Sequence, residues 1–474
     1  MTTVLNAKGI PLPYTGASTH WFSATGGAPY RYGTSGNDSF WGDTNVKVTM
    51  YGGAGDDYYH LYSTINKAVE NYGAGVDTID TWMSYKLPAN FENLVVTGDG
   101  HYAFGNGQDN IITGGAGSQT LDGGKGNDVL IGGAGADTFI ITKGNGSDLI
   151  SDFGATDTVR LNGYAFTSFE AVHANMVQVG SNVQLNLGSS EVLVFHNTTI
   201  DKFQPGQFEL PIDKTGMTLS FNDDFNTLSL WNGQSGIWDS NFWWGAQNGS
   251  SQPQNGELQW YIDANYAPTS SVHPFSVASG VLTITAAHTP DDIKPLINNY
   301  EYTSGILTTH DTFSQTYGYF EMRADLPENA GAWPAFWLLP EDGSWPPELD
   351  VIEMYGQNPN ALLMTAHTNE TGTHTTVGST VNVSNTDGYH TYGLLWTPDK
   401  LVWTYDGVQV AEAATPSDMN KPMYMLVDLA VGGQAGAPPD HLATPAQMKI
   451  DYIHAYTLND LQQSHLSTTA EHAV

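Results

Sequence analysis

The hydrophobic and polar positions between residues 105 and 140 repeat with a period of nine. Four units follow one another, GNGQDNIIT, GGAGSQTLD, GGKGNDVLI and GGAGADTFI. Each begins with a glycine turn, has a polar side chain at its sixth position and an apolar residue at its eighth. Glycine permits the tight turn, and the apolar residue of the following short strand points inward. The pattern predicts a parallel β-roll in which turns on one side are stacked two units apart.

Weaker versions of the repeat flank this block. GTSGND, GGAGDD and GAGVD precede it, and a Gly/Asp-rich stretch follows residue 140. From about 165 to 210 the pattern changes to short alternating segments (NMVQVG, NVQLNLG, EVLVFHN), which predict strands that cap the open edge of the roll. We therefore assign residues 1–210 to a roll with capping strands and residues 211–216, which contain Pro and Gly, to a linker.

Residues 217–457 form a second region with a different pattern. Short apolar or alternating stretches such as VLTITAAH, TYGYFEMRADL and MKIDYIHAY recur with turn residues between them, and strong helical periodicity is missing. Ten of the 13 tryptophans lie here. These features predict an antiparallel β-sandwich, so that the whole chain is expected to be all-β. Residues 458–474 read as a C-terminal tail.

Composition narrows the function. The 474 residues carry a formal net charge of −34, which gives no general electrostatic route to nucleic acid or anionic lipid. No apolar run approaches the length of a membrane span, and the N-terminus lacks the pattern of an ordinary signal peptide. Cysteine is absent, which excludes disulfides, zinc thiolates and thiol nucleophiles. Bound metal ions could stabilise the fold in place of disulfide bonds.

The sixth positions of the repeats are candidate metal ligands, because an Asp carboxylate with turn carbonyls offers hard oxygens to Ca²⁺. Asn110 and Gln119 are neutral at this position, so their turns are expected to bind calcium weakly or not at all. The repeats resemble the repeats-in-toxin modules of proteins that Gram-negative bacteria export in one step. The resemblance implies several calcium ions, a secreted protein and a one-step export machinery as partner. The predicted ligands are Asp38, Asp57, Asp77, Asp128, Asp137 and Asp148.

The candidate catalytic groups lie in WPPELDVIEMYG, where three acids occur in an apolar strand. Buried carboxylates are costly without a task or a partner. On a strand Glu348 and Asp350 share a face, whereas Glu353 joins them only if one residue between Asp350 and Glu353 is extruded as a β-bulge. Two glutamates on one concave face could then reach the separation of about 5–5.5 Å that a retaining glycosidase needs. The alternative is a structural ladder of acids on an exposed strand.

E-L-D-V-I-E resembles the E-x-D-x-x-E signature of the bulge-containing branch of glycoside hydrolase family 16. NGELQWY, AWPAFWLLP, LAVGG and DYIHAY follow the family order, and the resemblance covers about 217–457. It implies a curved jelly-roll sandwich with a substrate cleft across its concave sheet. By this resemblance Glu348 matches the nucleophile, Glu353 the acid/base and Asp350 the acid between them. Two neighbouring glutamates with Asp350 between them are expected to have separated pKa values.

The resemblance also implies substrate-binding residues and a further metal ion. Sugars present apolar faces edged by hydroxyls, so aromatic platforms and fixed polar groups are expected in the cleft, although each tryptophan could belong to the core. One structural calcium is implied at Asp451, for which a strand-end hydrogen bond is the alternative. The substrate-binding candidates are Trp333, Trp337, Trp345, Glu257, Gln259, Tyr261 and His367.

Members of this family cleave β-1,3- or β-1,4-linked glucans and galactans. With its repeat module, the chain most resembles secreted rhizobial glycanases that trim succinoglycan-type exopolysaccharide. We therefore expect a secreted, extracellular and monomeric endo-β-glycanase that acts on polysaccharide with retention of configuration. The negative charge disfavours an acidic polymer, so a laminarinase-like β-1,3-glucanase or a mixed-linkage glucanase stays open. A non-catalytic carbohydrate-binding protein and a calcium-dependent surface or matrix protein are the rival classes.

Overall fold

The computed structural model describes residues 20–23, 29–383, 386, 388–439, 442 and 444–458. Apart from residue 458, the C-terminal tail expected from the sequence lies outside the described residues. The chain divides into two compact units, 1–213 and 214–474, and each is described here by itself.

The first unit is built from short, mostly parallel strands and contains one described α-helix, α1 (Phe169–Ala174). Its strands are β1 (His20–Ser23), β2 (Tyr30–Tyr32), β3 (Asp38–Trp41), β4 (Thr49–Tyr51), β5 (Tyr58–Leu61), β6 (Lys67–Val69), β7 (Thr78–Thr81), β8 (Tyr85–Lys86), β9 (Asn93–Val96), β10 (Tyr102–Phe104), β11 (Ile111–Thr113), β12 (Thr120–Asp122), β13 (Val129–Ile131), β14 (Thr138–Thr142), β15 (Asp148–Ile150), β16 (Thr158–Asn162), β17 (Met176–Val179), β18 (Asn182–Gly188), β19 (Glu191–Phe195) and β20 (Phe208–Glu209).

The strands of the first unit alternate between the two sides of a roll. Strands β1 to β15 with odd numbers pair in parallel on one side, while β2–β4–β6 and β8–β10–β12–β14–β16–β20 form the other. The apolar eighth positions stack in register and are fully buried, Ile112 against Leu130 and Leu121 against Phe139. A nine-residue repeat thus places one apolar side chain per strand in the core, and the predicted parallel β-roll is confirmed.

The roll ends in antiparallel strands, as the change of pattern after residue 165 predicts. Strand β19 pairs with β15 in parallel, and β18 and β17 continue the sheet in antiparallel order. The sequence pattern did not predict the short helix α1. Ser168 caps this helix, because its side chain accepts a hydrogen bond from the Ala171 N–H at 3.2 Å. A helix this short buries only Val172 and leaves no periodicity to detect.

The second unit contains only strands and short 3₁₀ turns among its described residues. Its strands are β21 (Thr218–Asp223), β22 (Gly249–Ser250), β23 (Gln259–Ile262), β24 (Phe275–Ala278), β25 (Val281–His288), β26 (Tyr302–Ser304), β27 (Ile306–Thr308), β28 (Gly318–Asp325), β29 (Ala332–Pro340), β30 (Glu348–Met354), β31 (Ala361–Thr368), β32 (Thr375–Asn382), β33 (His390–Trp396), β34 (Lys400–Tyr405), β35 (Val408–Ala414), β36 (Met423–Val431) and β37 (Ala446–Thr457).

Two sheets of the second unit pack face to face. One follows the order β22–β23–β26–β25–β37–β28–β33–β34–β35, with β21 and β24 alongside, and the other is β27–β36–β29–β30–β31–β32. Fully buried side chains from both, such as Phe320 and Trp396 from the first and Phe336 and Met425 from the second, form one core. The expected antiparallel sandwich is confirmed, and the chain is all-β apart from α1 among the described residues. None of the described helices has the length and apolar character needed to cross a membrane.

Candidate active site and calcium-binding turns

The three acids of WPPELDVIEMYG lie on β30, in the middle of the six-stranded sheet. The pairing register of β30 with both neighbouring strands shifts between Asp350 and Glu353. Val351 and Ile352 are consecutive, yet both are fully buried in the sandwich core. This is the β-bulge that the spacing predicts, and it brings Glu348, Asp350 and Glu353 onto one face of the sheet.

Each glutamate on this face accepts a hydrogen bond from an indole N–H. Trp345 Nε1 donates to Glu348 Oε2, and Trp333 Nε1 donates to Glu353 Oε1 at 2.9 Å. Trp333 lies on β29, next to β30, and Trp345 lies just before β30. The two carboxylates are therefore held by donors from opposite ends of the acidic strand.

Asp350 lies between the glutamates and is the most enclosed of the three acids, with 2% of its surface exposed. Its Oδ2 has no hydrogen-bond partner, although His367 Nε2 lies 3.3 Å away. His367 stands opposite Glu348 in the strand pairing, and its Nδ1 lies 2.9 Å from Nε2 of His374. A pair of histidines thus borders the acids on the β31 side.

Burial and mutual repulsion make all three acids hold protons more tightly than free carboxyls. Burial, together with the Asp350 charge, raises the pKa of Glu348 to about 8. Burial and the Glu348 charge raise the pKa of Glu353 to about 7. Burial and the neighbouring Glu353 charge raise the pKa of Asp350 well above its usual range. The two glutamate values do not by themselves assign acid and nucleophile, because the pKa of Glu353 is not the higher of the two.

The acids open into a cavity of about 830 Å³. Of the seven predicted substrate-binding residues, all except Gln259 line it. Trp345 is 57% exposed at the rim, whereas Trp337 is 8% exposed and contributes to the floor. The lining residues include Trp243, Trp244, Glu257, Tyr261, Trp333, Trp337, Trp345, Tyr355, His367, Tyr424, Asp428 and Gln434 in addition to the three acids.

Gln259 lies behind the cavity wall and is fully buried. Its Nε2 donates to Glu257 Oε2 at 2.6 Å, and its Oε1 accepts from the Val431 N–H at 2.7 Å. It fixes the Glu257 side chain at the cavity. Burial, with the charge of Asp428, raises the pKa of Glu257 to about 7.

Asp428 on β36 is a cavity residue that the sequence analysis missed. Its Oδ1 accepts from Trp337 Nε1 at 2.8 Å and its Oδ2 from the Tyr261 hydroxyl at 2.7 Å. It stands opposite Ala335, which in turn pairs with Glu353, so both acids lie in one row across the sheet. The signal was present, because an acid inside the apolar run MYMLVDLAVGG is the same anomaly that singled out β30.

The aromatic pair Trp243 and Trp244 was also missed. Both rings are about half exposed, Trp243 stacks on His310 and Trp244 on Phe242. They come from a segment without regular strands, where periodicity gives no prediction. Consecutive tryptophans in FWWG were the available signal, because aromatic side chains that are not needed in a core are candidates for stacking on sugar rings.

The acids at the sixth position of the repeats form ladders along the roll. Each carboxylate accepts, through Oδ1, the backbone N–H of its counterpart one turn earlier, so Asp57 accepts from Asp38 and Asp77 from Asp57, both at 2.8 Å. Asp148 accepts from Asp128 in the same way at 3.0 Å. The predicted stacking of turns on one side is thus confirmed in atomic detail.

A second ladder runs along the opposite edge. Asp137 Oδ1 accepts from the Gln119 N–H at 2.8 Å, and Asp157 Oδ1 accepts from the Asp137 N–H at 3.0 Å. Asp157 was not among the predicted ligands, although its spacing of 20 residues from Asp137 equals the spacing of Asp148 from Asp128. The structure places it in the same relation to Asp137 as Asp148 has to Asp128.

The surroundings of the second carboxylate oxygen, Oδ2, indicate whether the stacked turns can hold a cation. Oδ2 of Asp57, Asp77, Asp128 and Asp137 is buried and has no hydrogen-bond partner. A buried carboxylate oxygen without a partner is costly, and a divalent cation satisfies it. Asp38 differs, because Thr34 donates to it locally through its hydroxyl. The donor set therefore fits calcium at the stacked acids.

At the neutral positions an amide group takes the place that a cation would have. Asn110 Nδ2 donates to the carbonyls of Phe91 and Glu92 at 3.0 and 3.2 Å, and Gln119 Nε2 donates to the carbonyl of Gly98 at 2.9 Å. Amide hydrogens thus cap the carbonyl oxygens between these turns. This geometry supports the expectation of weak or absent calcium binding there.

Asp451, the candidate ligand in the second unit, is engaged in an ion pair. Arg323 Nη1 lies 2.5 Å from Asp451 Oδ2, on the neighbouring strand. The family resemblance also implies backbone oxygens near Asp224 and Gly280 as ligands, and a Cβ on Gly280 would lie 3.7 Å from the Asp224 carbonyl oxygen. A guanidinium beside the carboxylate repels a divalent cation, so these residues do not fit calcium as arranged, and the ion at Asp451 stays a prediction.

Acids of this kind in a tryptophan-lined cleft of a sandwich define the class of glycoside hydrolases. Comparison with known proteins gives the family. Residues 257–454 match the model for "Glycosyl hydrolases family 16", and residues 48–62 and 104–139 match the "RTX calcium-binding nonapeptide repeat (4 copies)". The chain belongs to glycosyl hydrolases family 16 and carries an N-terminal calcium-binding repeat module, as the sequence motifs predict.

The relatives cover both units. The "Endo-1,3-1,4-beta-glycanase ExsH" of Rhizobium meliloti (strain 1021) is 61% identical over 457 residues, 96% of this chain and 98% of the relative. "Endo-1,3-1,4-beta-glycanase EglC" of the same organism is 57% identical over the same shares. The "Beta-glucanase" of Rhodothermus marinus is 34% identical over 228 residues, 43% of this chain and 74% of that protein. The chain is accordingly a glycoside hydrolase that acts on polysaccharide.

Proposed function

We propose that the chain is a secreted endo-β-1,3-1,4-glycanase that hydrolyses bacterial exopolysaccharide with retention of configuration. The observation that carries the proposal is the bulged β30, which aligns Glu348, Asp350 and Glu353 in an open cavity. The two rhizobial relatives are named endo-1,3-1,4-β-glycanases, which supports the linkage.

We assign the roles of the two glutamates from the positions of the family motif that they match. Glu348 is the nucleophile that attacks the anomeric carbon, and Glu353 protonates the leaving oxygen and then activates water. One indole N–H and the nearby His367 favour the charged form of each glutamate, Trp345 at Glu348 and Trp333 at Glu353, so these donors do not distinguish the two roles. Glu353 has a single indole donor, which leaves its second oxygen available to the glycosidic oxygen.

Asp350 keeps the proton that the cluster shares. It is the most enclosed of the three acids, with like charges on either side, so its protonated form is the favoured one. A protonated Asp350 donates to Glu348 and stabilises the carboxylate that must attack. After the covalent intermediate forms, the same hydrogen bond holds the ester in place. Asp350 is therefore a positioning residue for Glu348.

The cavity walls divide into platforms and anchors. Trp345 and Trp333 each have one edge bonded to a catalytic glutamate, and their faces remain available for stacking on sugar rings. Glu257, His367 and Tyr261 supply polar groups toward hydroxyls. Gln259 acts behind them by fixing Glu257.

The substrate class is the least constrained part of the proposal. The lining contains no Lys or Arg among the described residues, and His367 is its only basic group in that set. A succinoglycan-type polymer, with its acidic substituents, would have to turn them away from this lining. The laminarinase-like alternative, a neutral β-1,3-glucan, or a mixed-linkage glucan meets no such requirement.

Calcium links folding of the repeat module to export. In the calcium-poor cytoplasm the stacked acids repel one another and keep the module unfolded, in a form suited to a one-step export machinery. Outside the cell, calcium binds between turns and stabilises the roll by mass action. Asp57, Asp77, Asp128, Asp137 and Asp148 are the proposed ligands. Asp38 belongs to the same ladder and stays a proposed ligand, although both of its carboxylate oxygens accept from the Thr34 hydroxyl.

Product analysis tests the activity directly. Succinoglycan, laminarin and mixed-linkage β-glucan are offered in parallel, and the anomer of the first product is followed by NMR. We expect the β-anomer first and oligosaccharides rather than monosaccharides. Inverted product overturns the mechanism, while hydrolysis of laminarin alone replaces the exopolysaccharide by the β-1,3-glucan alternative.

Glu353→Gln separates the two glutamates. The variant lacks the proton donor, so we expect a loss of about 10²–10⁴-fold on polysaccharide. An aryl glycoside whose leaving group needs no proton should lose much less rate in the first step. Equal losses on both substrates contradict the assignment of Glu353 as the acid.

A further inference from the structure

A glutamate replaces glycine at the start of one turn of the roll. Strand β6 pairs with β4 so that Val69 stands beside Tyr51, which places Glu70 beside Gly52. Strand β2 pairs with β4 in the same register, which places Gly33 on the other side of Gly52. The position that begins the turn is therefore glycine in two successive coils and glutamate in the third.

The Glu70 side chain enters the space that the neighbouring glycine leaves open. A Cβ on Gly52 would lie 2.0 Å from Glu70 Oε1 and 2.1 Å from Asp57 Oδ2. No side chain fits at Gly52 while the two carboxylates are there. The stacked turns thus form a cradle that glycine keeps open and Glu70 fills with a charged group.

Three carboxylates meet in this cradle. One oxygen each of Asp57, Glu70 and Asp77 lies within 4.8 Å of the others. The three residues are 0%, 6% and 1% exposed, and each has one buried carboxylate oxygen without a hydrogen-bond partner: Oδ2 of Asp57, Oε2 of Glu70 and Oδ2 of Asp77. Three such groups at this separation repel one another strongly unless a cation or protons neutralise them.

Tyr59 holds the glutamate in place. Its hydroxyl donates to Glu70 Oε1, and the ring is fully buried, stacked on Phe40 and in edge contact with Phe91. One Glu70 oxygen is thus occupied by a rigid donor, while the other is left for a ligand. A side chain that merely filled space would not need a dedicated donor.

We propose that Asp57, Glu70 and Asp77 hold one Ca²⁺ between two stacked turns, and that Glu70 is a ligand which the nonapeptide pattern does not contain. Hard oxygen donors on a flexible glycine-rich turn suit Ca²⁺, which accepts irregular geometry, better than Mg²⁺, which demands a near-ideal octahedron. The inference rests on the proposed calcium binding of the repeat module. It adds that this site carries one more carboxylate than the Asp137–Asp157 pair and binds calcium more tightly, since ligand charge tunes affinity.

Calcium binding to the full-length chain tests the ligand. Bound calcium per chain is measured by equilibrium dialysis against buffered free calcium for the wild type, Glu70→Gln and Glu70→Gly. Glutamine keeps the shape and removes the charge, while glycine restores the residue of the neighbouring coils. We expect both variants to lose the tightest calcium, with its affinity weakened about tenfold or more. Wild-type number and affinity in Glu70→Gly overturn the proposal, because the two aspartates would then suffice.

Asp137→Asn is the matched control, because it removes a carboxylate from the opposite ladder. We expect it to lose a weaker calcium and to keep the tightest one. A wild-type chain that binds no calcium refutes the proposed calcium binding of the whole module, whereas normal binding that Glu70 variants leave unchanged refutes this inference alone. Loss of all calcium in both Glu70 variants also overturns it, because a single site is predicted to change. Circular dichroism at saturating calcium reports that the roll has folded in each variant.

Discussion

The two units bury carboxylates in opposite ways. In the sandwich, aromatic side chains donate to the buried acids, with Trp238 Nε1 at 2.7 Å from Asp223 Oδ2 and the Tyr261 hydroxyl at 2.7 Å from Asp428 Oδ2. In the roll, four ladder aspartates each keep one buried oxygen without a hydrogen-bond partner: Asp57, Asp77, Asp128 and Asp137. A buried carboxylate whose oxygens accept hydrogen bonds from the protein is satisfied within the fold. A buried carboxylate with an oxygen that lacks such a donor needs a bound cation or a proton.

Asp350 differs from the other buried carboxylates of the sandwich. It is the one carboxylate of the sandwich, among the described residues, whose buried oxygen lacks a partner. In the roll we propose that the missing partner is a cation, and at Asp350 that it is a proton shared with Glu348. An incomplete buried acid therefore marks calcium sites in one unit and the proposed catalytic cluster in the other.

The largest predicted effect is on catalysis. Glu348→Gln keeps the volume and shape of the side chain and removes the nucleophile, so turnover should fall by about 10⁴-fold or more while folding and glycan binding survive. Initial rates on the preferred polysaccharide measure the loss. Glu412→Gln, an exposed glutamate on β35, is the matched control and should retain wild-type rates. Near-wild-type turnover in Glu348→Gln contradicts the assigned role.

Removal of calcium should have the next largest effect and should act on the other unit. When the free calcium concentration is 100 times the dissociation constant of a site, binding at that site stabilises the folded roll by about 2.7 kcal/mol. Chelation of calcium removes several such contributions. Calorimetry of the full chain should show one transition that moves down by tens of degrees with EGTA and one that stays. The hydrolysis rate at a temperature below both transitions should persist. A single transition that ignores EGTA contradicts the calcium sites.

Asp428→Asn should have an intermediate effect, because it breaks a completed carboxylate. The amide offers one acceptor oxygen where Trp337 and Tyr261 now donate to two, so one of these donors loses its acceptor. We expect a loss of about 1–3 kcal/mol in stability, from the unpaired donor, and a fall of about tenfold to a hundredfold in kcat/KM as the cavity floor shifts. Chemical denaturation and steady-state kinetics measure the two losses. Unchanged kinetics with lowered stability limits Asp428 to a structural role.

The fold was predictable from the sequence wherever residue periodicity was strong. Nine-residue glycine turns specify a roll, and the six-residue spacing of three acids specifies a bulge, because a strand has a period of two. The features that the sequence did not predict are local and have no residue periodicity. The helix α1 is too short for a pattern.

The site was predictable where acids interrupt an apolar strand and hidden where several segments converge. Asp428 interrupts its strand in the same way as Glu348, yet it lies 80 positions from Glu348 along the chain, and only the strand order β36–β29–β30 brings the two to one face. The sequence did not indicate a ligand role for Glu70. The residue occupies a position where a glycine is expected, and its proposed role depends on the turn that is stacked against it. Periodicity describes one element at a time, whereas these residues acquire their roles from neighbours that the sequence does not reveal.

The smallest predicted effect is a gain of stability in the inactive variant. Burial and the Asp350 charge raise the pKa of Glu348 to about 8, against 4.5 in the unfolded chain. The folded state therefore binds this proton more tightly than the unfolded state, so its contribution to stability is complete below about pH 4.5 and is lost as the pH rises toward 8. Glutamine cannot ionise and does not suffer the loss. At pH 4 the thermal unfolding of Glu348→Gln and wild type should coincide, and at pH 8 the variant should unfold at the higher temperature of the two. Glu412→Gln should show no such divergence. A variant that is less stable than wild type at pH 8 would mean that the ionised Glu348 is well satisfied by its donors, and the contrast between completed and incomplete acids would then not extend to the catalytic cluster.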